Sequence, residues 1–149
     1  MRVIVQRVKQ ASVSVAGTVV GKCGNGFLLL VGFSNSDTGG EITPLINKIL
    51  NIRIFDDENG KMNLSIQDVK GSILSISQFT LYANCKNGRR PSFTEACKYE
   101  VAERYYATFV NELAKSGLKV GNGVFGAMME IEADLVGPTT ITLDSSEII

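Results

Sequence analysis

Apolar and polar residues alternate along Arg2-Val3-Ile4-Val5-Gln6-Arg7-Val8 and again along Ser12-Val13-Ser14-Val15, the period of half-buried strands. Ala16-Gly17 predicts a turn, after which Thr18-Val19-Val20 returns. Phe27-Leu28-Leu29-Leu30-Val31-Gly32-Phe33 carries no charge and predicts a central strand covered on both faces. The pattern then changes period. Ile42, Leu45, Ile46, Ile49 and Leu50 form one helical stripe with Pro44 in its first turn. Arg53-Ile54-Phe55 reads as a short strand, and Gly71-Ser72-Ile73-Leu74-Ser75-Ile76-Ser77 alternates once more. A second helix is expected to start at the capping box Ser92-Phe93-Thr94-Glu95, with Phe93, Cys97, Val101, Tyr105, Phe109 and Leu113 on its buried face and Gly117 as its stop. Strand-like runs follow at Val120-Gly121, Met128 to Ile131 and Thr139 to Leu143, separated by glycines and by Gly137-Pro138. Two helices among many strands predict one α+β domain, residues 1–149, with the helices packed on a strongly curved, largely antiparallel, barrel-like sheet.

Composition narrows the chemistry. None of the 149 residues is histidine, which removes imidazole relays and histidine metal clusters. A reaction here must draw on backbone dipoles, a few hydroxyls or the substrate itself. Fifteen basic and fifteen acidic residues cancel, so any contact with RNA must be local rather than through overall charge. The apolar run at Phe27 to Val31 is far shorter than the roughly 20 residues that span a bilayer. Gln6 and Arg7 interrupt the first apolar residues too early for a signal-peptide core. Cys23, Cys85 and Cys97 form no C-x-x-C pair, and three isolated thiols suit a reducing cytosol. The acidic stretch Asp56 to Lys61 lacks the calcium-loop spacing and predicts a solvated turn. No metal site is expected.

Three places could carry chemistry. Ser77-Gln78-Phe79-Thr80-Leu81-Tyr82 puts polar side chains at the end of a strand, where the main-chain N–H groups of Gln78, Phe79 and Thr80 could point into a cleft. Such donors stabilise an ester oxyanion, and losing one typically costs about 3 kcal/mol of barrier. The alternative is that Thr80 fills the sheet and Gln78 caps its end. Thr80 as a nucleophile would need a base, and none lies nearby in sequence. Lys86, Arg89 and Arg90, with Lys98 further on, form the densest cationic cluster, suited to phosphate or to a solvated loop. Gly137-Pro138 reads locally as an ordinary trans turn, although glycine before proline also lets carbonyls project into a pocket.

Together, Val5-Gln6-Arg7-Val8, Ser77 to Tyr82, Gly88-Arg89-Arg90-Pro91-Ser92-Phe93, Phe125-Gly126-Ala127-Met128-Met129 and Gly137-Pro138-Thr139-Thr140 resemble the D-aminoacyl-tRNA deacylase family. The resemblance implies a cytoplasmic homodimer, free of metal and organic cofactor, that hydrolyses the ester joining a D-amino acid to the terminal adenosine of tRNA. DNA and membranes are not implied as partners. Ser77, Gln78, Phe79 and Thr80 would line the reacting centre, and Phe125, Gly126, Ala127 and Met129 would wall the adenosine pocket. Lys86, Arg89 and Arg90 are assigned to the tRNA backbone. In that family Gly-Pro is cis and enters the partner's active site, so Gly137 and Pro138 would reject L side chains, a specificity by exclusion that leaves the glycyl ester a side substrate. The family usually has Asn-Asp before Gly-Pro, where this chain has Leu135-Val136.

The implied mechanism uses main-chain N–H groups for the carbonyl and the ribose 2′-hydroxyl to assist water, with a covalent acyl-Thr80 intermediate as its competitor. A non-catalytic RNA-binding domain and a small-ester hydrolase are the rival classes. The first would show exposed aromatic residues interleaved with basic ones over a long surface, and the sequence has no such stretch.

Overall fold

The computed structural model describes residues 1–149. Its elements are β1 (Arg2–Val15), β2 (Thr18–Cys23), β3 (Gly26–Gly32), α1 (Ile42–Asn51), β4 (Phe55–Asp56) and β5 (Met62–Leu64). They continue with β6 (Ser72–Ser77), α2 (Tyr99–Ala114), β7 (Val120–Asn122), β8 (Glu130–Asp144) and α3 (Ser145–Ile148). No helix is long and apolar enough to cross a membrane.

β1 organises the sheet because it pairs on both edges. Its first half runs antiparallel to β3 and its second half to β2, while β8 pairs along most of the other edge. Beyond β3 the sheet turns parallel, through β6 to β7. The Ala16-Gly17 turn joins β1 to β2 with both residues at positive φ, 48° and 82°, as a tight hairpin requires. β2 then curls against β7. A Cβ on Gly21 would lie 2.6 Å from the Asn122 carbonyl oxygen, and one on Gly121 would lie 2.7 Å from that of Lys22. These two glycines let the backbones meet and bring the sheet nearly to closure as a barrel, with α1 and α2 as its two main helices.

Two apolar clusters follow from this curvature. The larger joins Val3, Val5, Phe27, Leu29, Val31 and Ile73 of the sheet to Leu45 and Ile49 of α1 and Phe109 and Leu113 of α2. The smaller fills the barrel with Val8, Ala11, Val13, Cys23, Leu28, Leu74 and Ile76. β1 serves both, and the parity of its buried residues changes twice, between Val5 and Val8 and again between Val8 and Ala11, where the β1–β8 register shifts. Burial also pushes the Cys23 thiol up, leaving a protonated, inert packing group.

Several expectations need correction. The two predicted N-terminal strands are one, β1, and the two predicted C-terminal runs are one, β8, which continues through Gly137-Pro138. α2 begins at Tyr99, not at the Ser92 box. Ser92 exchanges main-chain hydrogen bonds with Asn84, the Ala96 N–H closes a turn on the Phe93 carbonyl, and the Cys97 N–H donates to the Phe33 carbonyl, so residues 92–97 are committed to bridges and a turn. The buried stripe of α2 is Ala102, Tyr106, Phe109 and Leu113. Strict steps of four drift off a helix face of 3.6 residues per turn, which is why Val101 and Tyr105 lie only half-buried beside it.

Candidate active site

β6 ends at Ser77, but its ladder to β3 gains one further bond, from the Gln78 N–H to the Val31 carbonyl at 2.7 Å. The chain then folds into a 3₁₀ turn, Phe79–Tyr82, closed by Leu81 N–H to Gln78 O at 3.3 Å and Ala83 N–H to Thr80 O at 3.0 Å. Gly32 lies directly beneath, where a Cβ would stand 2.8 Å from the Gln78 carbonyl oxygen and 3.1 Å from Leu81 Cβ. Arg2 fastens the far end. One guanidinium nitrogen donates to the Leu81 carbonyl at 2.6 Å, another pairs with Asp144 at 2.9 Å, and the group lies 4.6 Å from the Tyr82 ring centre. Burial alone would raise the Asp144 carboxyl, but bonds from Ser146 and Arg2 outweigh it and hold the group below its ordinary value.

This seating decides which donors are free. The Gln78 N–H is spent on Val31, so it does not join the expected trio. Phe79 and Thr80 are the first two residues of the turn, and their N–H groups have no acceptor in the protein. The Thr80 hydroxyl accepts a short bond from the Gln78 side-chain amide. An amide is not a base in either orientation, so nothing here removes a proton from Thr80.

The frame behind the turn is polar yet satisfied. Tyr106 of α2 donates its hydroxyl to the Ser75 carbonyl at 2.9 Å and also meets the Ser75 hydroxyl at 3.1 Å. Burial pushes the Tyr106 phenol up to about 12. The same carbonyl accepts the Gly123 N–H at 3.0 Å, and the Tyr106 ring lies 5.9 Å from Phe125. Helix, strand and the loop carrying Phe125 are thereby pinned at one point.

Beside the turn opens a cavity of about 680 Å³, within the usual range for a small-molecule site. Ser77, Gln78 and Phe79 border it on one side, and Phe125, Gly126, Ala127 and Met129 on the other. Thr80 lies outside this lining. Gly126 sits at φ +77°, and a Cβ there would collide with the Tyr99 ring and hydroxyl. Cys97 is in the wall, its thiol raised first by burial and then by the negative field of Asp37, so it is not a thiolate.

Gly137-Pro138 stands elsewhere. Gln6 pairs with Thr140 and Val8 with Leu135, so residues 136–139 bulge outward opposite Arg7 alone. The Gly137-Pro138 peptide is cis, and Gly137 has φ +115°. Arg7 braces the bulge from beneath, donating to the Val136 carbonyl at 3.3 Å and the Ile54 carbonyl at 2.7 Å, with Asp56 3.7 Å away. A Cβ on Gly137 would lie 2.7 Å from Thr139 Oγ1 and 2.9 Å from the Arg7 guanidinium. Neither Gly137 nor Pro138 lines the cavity of its own chain.

A family model described as D-Tyr-tRNA(Tyr) deacylase matches residues 4–144. The chain belongs to this deacylase family. A protein of Halothermothrix orenii named D-aminoacyl-tRNA deacylase is 52% identical over 147 residues, covering 99% of each chain. One of Aquifex aeolicus with the same name is 51% identical over 148 residues, 99% of this chain and 100% of that one. Among solved structures, one described as c-Myc DNA Unwinding Element Binding Protein superposes with TM-score 0.90 at 40% identity, covering 97% of this chain and 98% of its own. Another, described as a probable eukaryotic D-amino acid tRNA deacylase, has TM-score 0.84 at 18% identity over 95% of this chain and 97% of its own, which speaks to fold alone. Family membership makes hydrolysis of D-aminoacyl-tRNA esters the activity the geometry must perform.

Within this deacylase fold, Lys86, Arg89 and Arg90 are exposed on the loop after the 3₁₀ turn, and none makes an ion pair. No three cysteine or carboxylate side chains gather as a metal site would need. Sequence reasoning missed Arg7 as the brace and Phe93 and Tyr99 as cavity residues. Arg7 did leave a signal, a cation in the middle of an alternating strand and within the Val5-Gln6-Arg7-Val8 motif. Phe93 stood in the Gly88-to-Phe93 motif, but its apolar period placed it on a helix that in fact starts later.

Proposed function

We propose that this chain deacylates D-aminoacyl-tRNA as a cytoplasmic homodimer, with the terminal adenosine in the apolar cavity and the ester carbonyl on the free N–H groups of Phe79 and Thr80. Those two unspent donors, on Phe79 in the cavity lining and on Thr80 next to it in the turn, carry the reading. Water adds to the carbonyl carbon, the bond from that carbon to the ribose 3′-oxygen breaks, and the proton lost by water ends on that oxygen. The adjacent 2′-hydroxyl relays it, since neither histidine nor a carboxylate lines the cavity. Ser77 and Gln78 border the reacting centre, and Lys86, Arg89 and Arg90 take backbone phosphates.

Gly137 and Pro138 act on a second copy of the chain. The bulge is exposed and lies outside the lining of its own cavity, on a strand with exposed Leu135 and Val136, which supports a gate offered outward. In the partner's site its carbonyls crowd an L side chain and accept hydrogen, so glycyl esters are also cleaved. Matched D- and L-aminoacyl-tRNA esters test this. Rapid hydrolysis of the D ester, slow hydrolysis of the glycyl ester and an inert L ester are expected; equal rates for D and L would defeat the gate. Normal turnover of a substrate ending in 2′-deoxyadenosine would defeat the relay, and a trapped acyl-Thr80 species would replace it with covalent catalysis.

A further inference from the structure

Folding assembles a short version of the surface that the sequence does not display. Phe79 is 56% exposed and Phe93 39%, and their rings meet edge to face with centroids 5.0 Å apart at the cavity mouth. Between them the chain forms a hairpin over residues 84–92. Asn84 and Ser92 exchange both main-chain bonds, at 2.7 and 2.8 Å, and the Asn84 side chain accepts the Lys86 N–H at 2.9 Å. Gly88 turns the tip at φ +69°. The hairpin carries Lys86, Arg89 and Arg90, all exposed and free of carboxylate partners, on the segment of chain that joins the two aromatic residues.

Exposed aromatic faces beside unpaired cations suit single-stranded nucleic acid, because any base can stack on the ring while the cation meets its phosphate. A paired stem offers no free base face, whereas the single-stranded 3′ end of tRNA does. Phe79 is tied to the reacting turn by its main chain, but Phe93 belongs to the segment leaving the cationic hairpin. We propose that Phe93, supported edge-on by Phe79, is the stacking platform for the nucleotide that precedes the terminal adenosine, with the hairpin cations on its phosphate. The assignment rests on the proposed function, since it takes the terminal adenosine to occupy the cavity.

The test compares D-aminoacyl-tRNA with the same substrate made abasic at the penultimate position. For the wild-type protein kcat/KM should fall about tenfold on removing that base, the loss expected for one stacked base. Phe93→Leu should lower the rate on the intact substrate and erase the difference between the two substrates, while Phe93→Tyr should keep it. A wild-type protein indifferent to the base, or a Phe93→Leu protein that still discriminates tenfold, would overturn the platform. Failure to cleave any D ester would instead overturn the function on which it rests.

Discussion

The 3₁₀ turn at Phe79–Tyr82 and the Gly137-Pro138 bulge are both irregular backbone, but they are held in opposite ways. The turn is seated on β3 through Gln78 and Gly32, tied to the terminal strand through Arg2, and backed by the Tyr106–Ser75 bond. The bulge hangs from an edge strand whose residues 130–138 are all exposed or half-exposed, with one side chain, Arg7, beneath it. The difference teaches where each element finishes its structure. On the proposed function, the turn as carbonyl cradle must be preorganised inside one subunit, since its donors act only when fixed in place. The bulge, proposed as a gate on a second copy, needs only a defined shape and a route outward.

The sharpest way to break the comparison is to disturb the seat of the turn. Gly32→Ala places a methyl carbon 2.8 Å from the Gln78 carbonyl oxygen, and the backbone there must move. We expect kcat to fall about a hundredfold, the usual effect of displacing catalytic groups by roughly 1 Å. The stability loss should stay near 1–3 kcal/mol, as for other overpacked sites. Steady-state kinetics beside thermal unfolding separate the two. An active protein of reduced stability would show that the turn tolerates a looser seat.

Arg7→Ala attacks the other side. It leaves the Ile54 and Val136 carbonyls without a charged donor in a pocket where the Arg7 side chain is only 11% exposed. A cost of about 2–3 kcal/mol follows from losing charge-assisted bonds. The D-versus-L ratio should fall at least as steeply as the rate on the D ester, because the cradle is untouched. A selective loss on the D ester with L still rejected would mean that Arg7 serves the turn.

Tyr106→Phe tests the frame with a smaller change. Removing the hydroxyl strands Ser75 and should cost about 1–2 kcal/mol with little effect on D-versus-L choice. pH sharpens the same point. Burial holds the Tyr106 phenol near 12, while an unfolded tyrosine ionises near 10. Between these values the unfolded chain binds fewer protons, so stability is complete below pH 10 and declines as pH rises towards 12. Tyr82, raised to about 12 by burial and by Asp37 and Asp144, adds to the decline. Denaturation followed across pH 9–12 should show a shallower loss in Tyr106→Phe, and equal slopes would detach the effect from this residue.

How far the sequence foretold these elements follows the same divide. β3, α1 and the Ala16-Gly17 hairpin were legible because burial and turn chemistry act locally there. The start of α2 was not, since the hairpin bonds with Asn84 and the long-range bond to Phe33 override a good capping box. Gln78, Phe79, Phe125 and Gly126 could be named as site residues through the family resemblance. The spending of the Gln78 N–H on Val31 could not, because it depends on where a parallel ladder ends. Arg7 and Phe93 stood in motifs that carry the resemblance, but their places beneath the bulge and in the cavity wall needed the fold itself, which brings together residues that no local pattern relates.

Leu135 and Val136 give the smallest expected effect and the cleanest distinction between side chain and main chain. This chain exposes an apolar pair, 48% and 39% accessible, directly before the bulge, where the family resemblance implies Asn-Asp. The brace does not depend on that exchange, because Arg7 donates to the Val136 main-chain carbonyl, which every residue supplies. Leu135→Asn with Val136→Asp should therefore alter stability by no more than about 0.5 kcal/mol, as exposed substitutions generally do. The D-versus-L ratio should stay within about threefold, since 0.5 kcal/mol is a factor of just over two. A larger rise in the ratio would show that polar side chains stiffen the gate beyond what Arg7 provides. A fall together with loss of the proposed dimer would show instead that the apolar pair is buried against the second copy, which would make this gate dependent on packing as well as on Arg7.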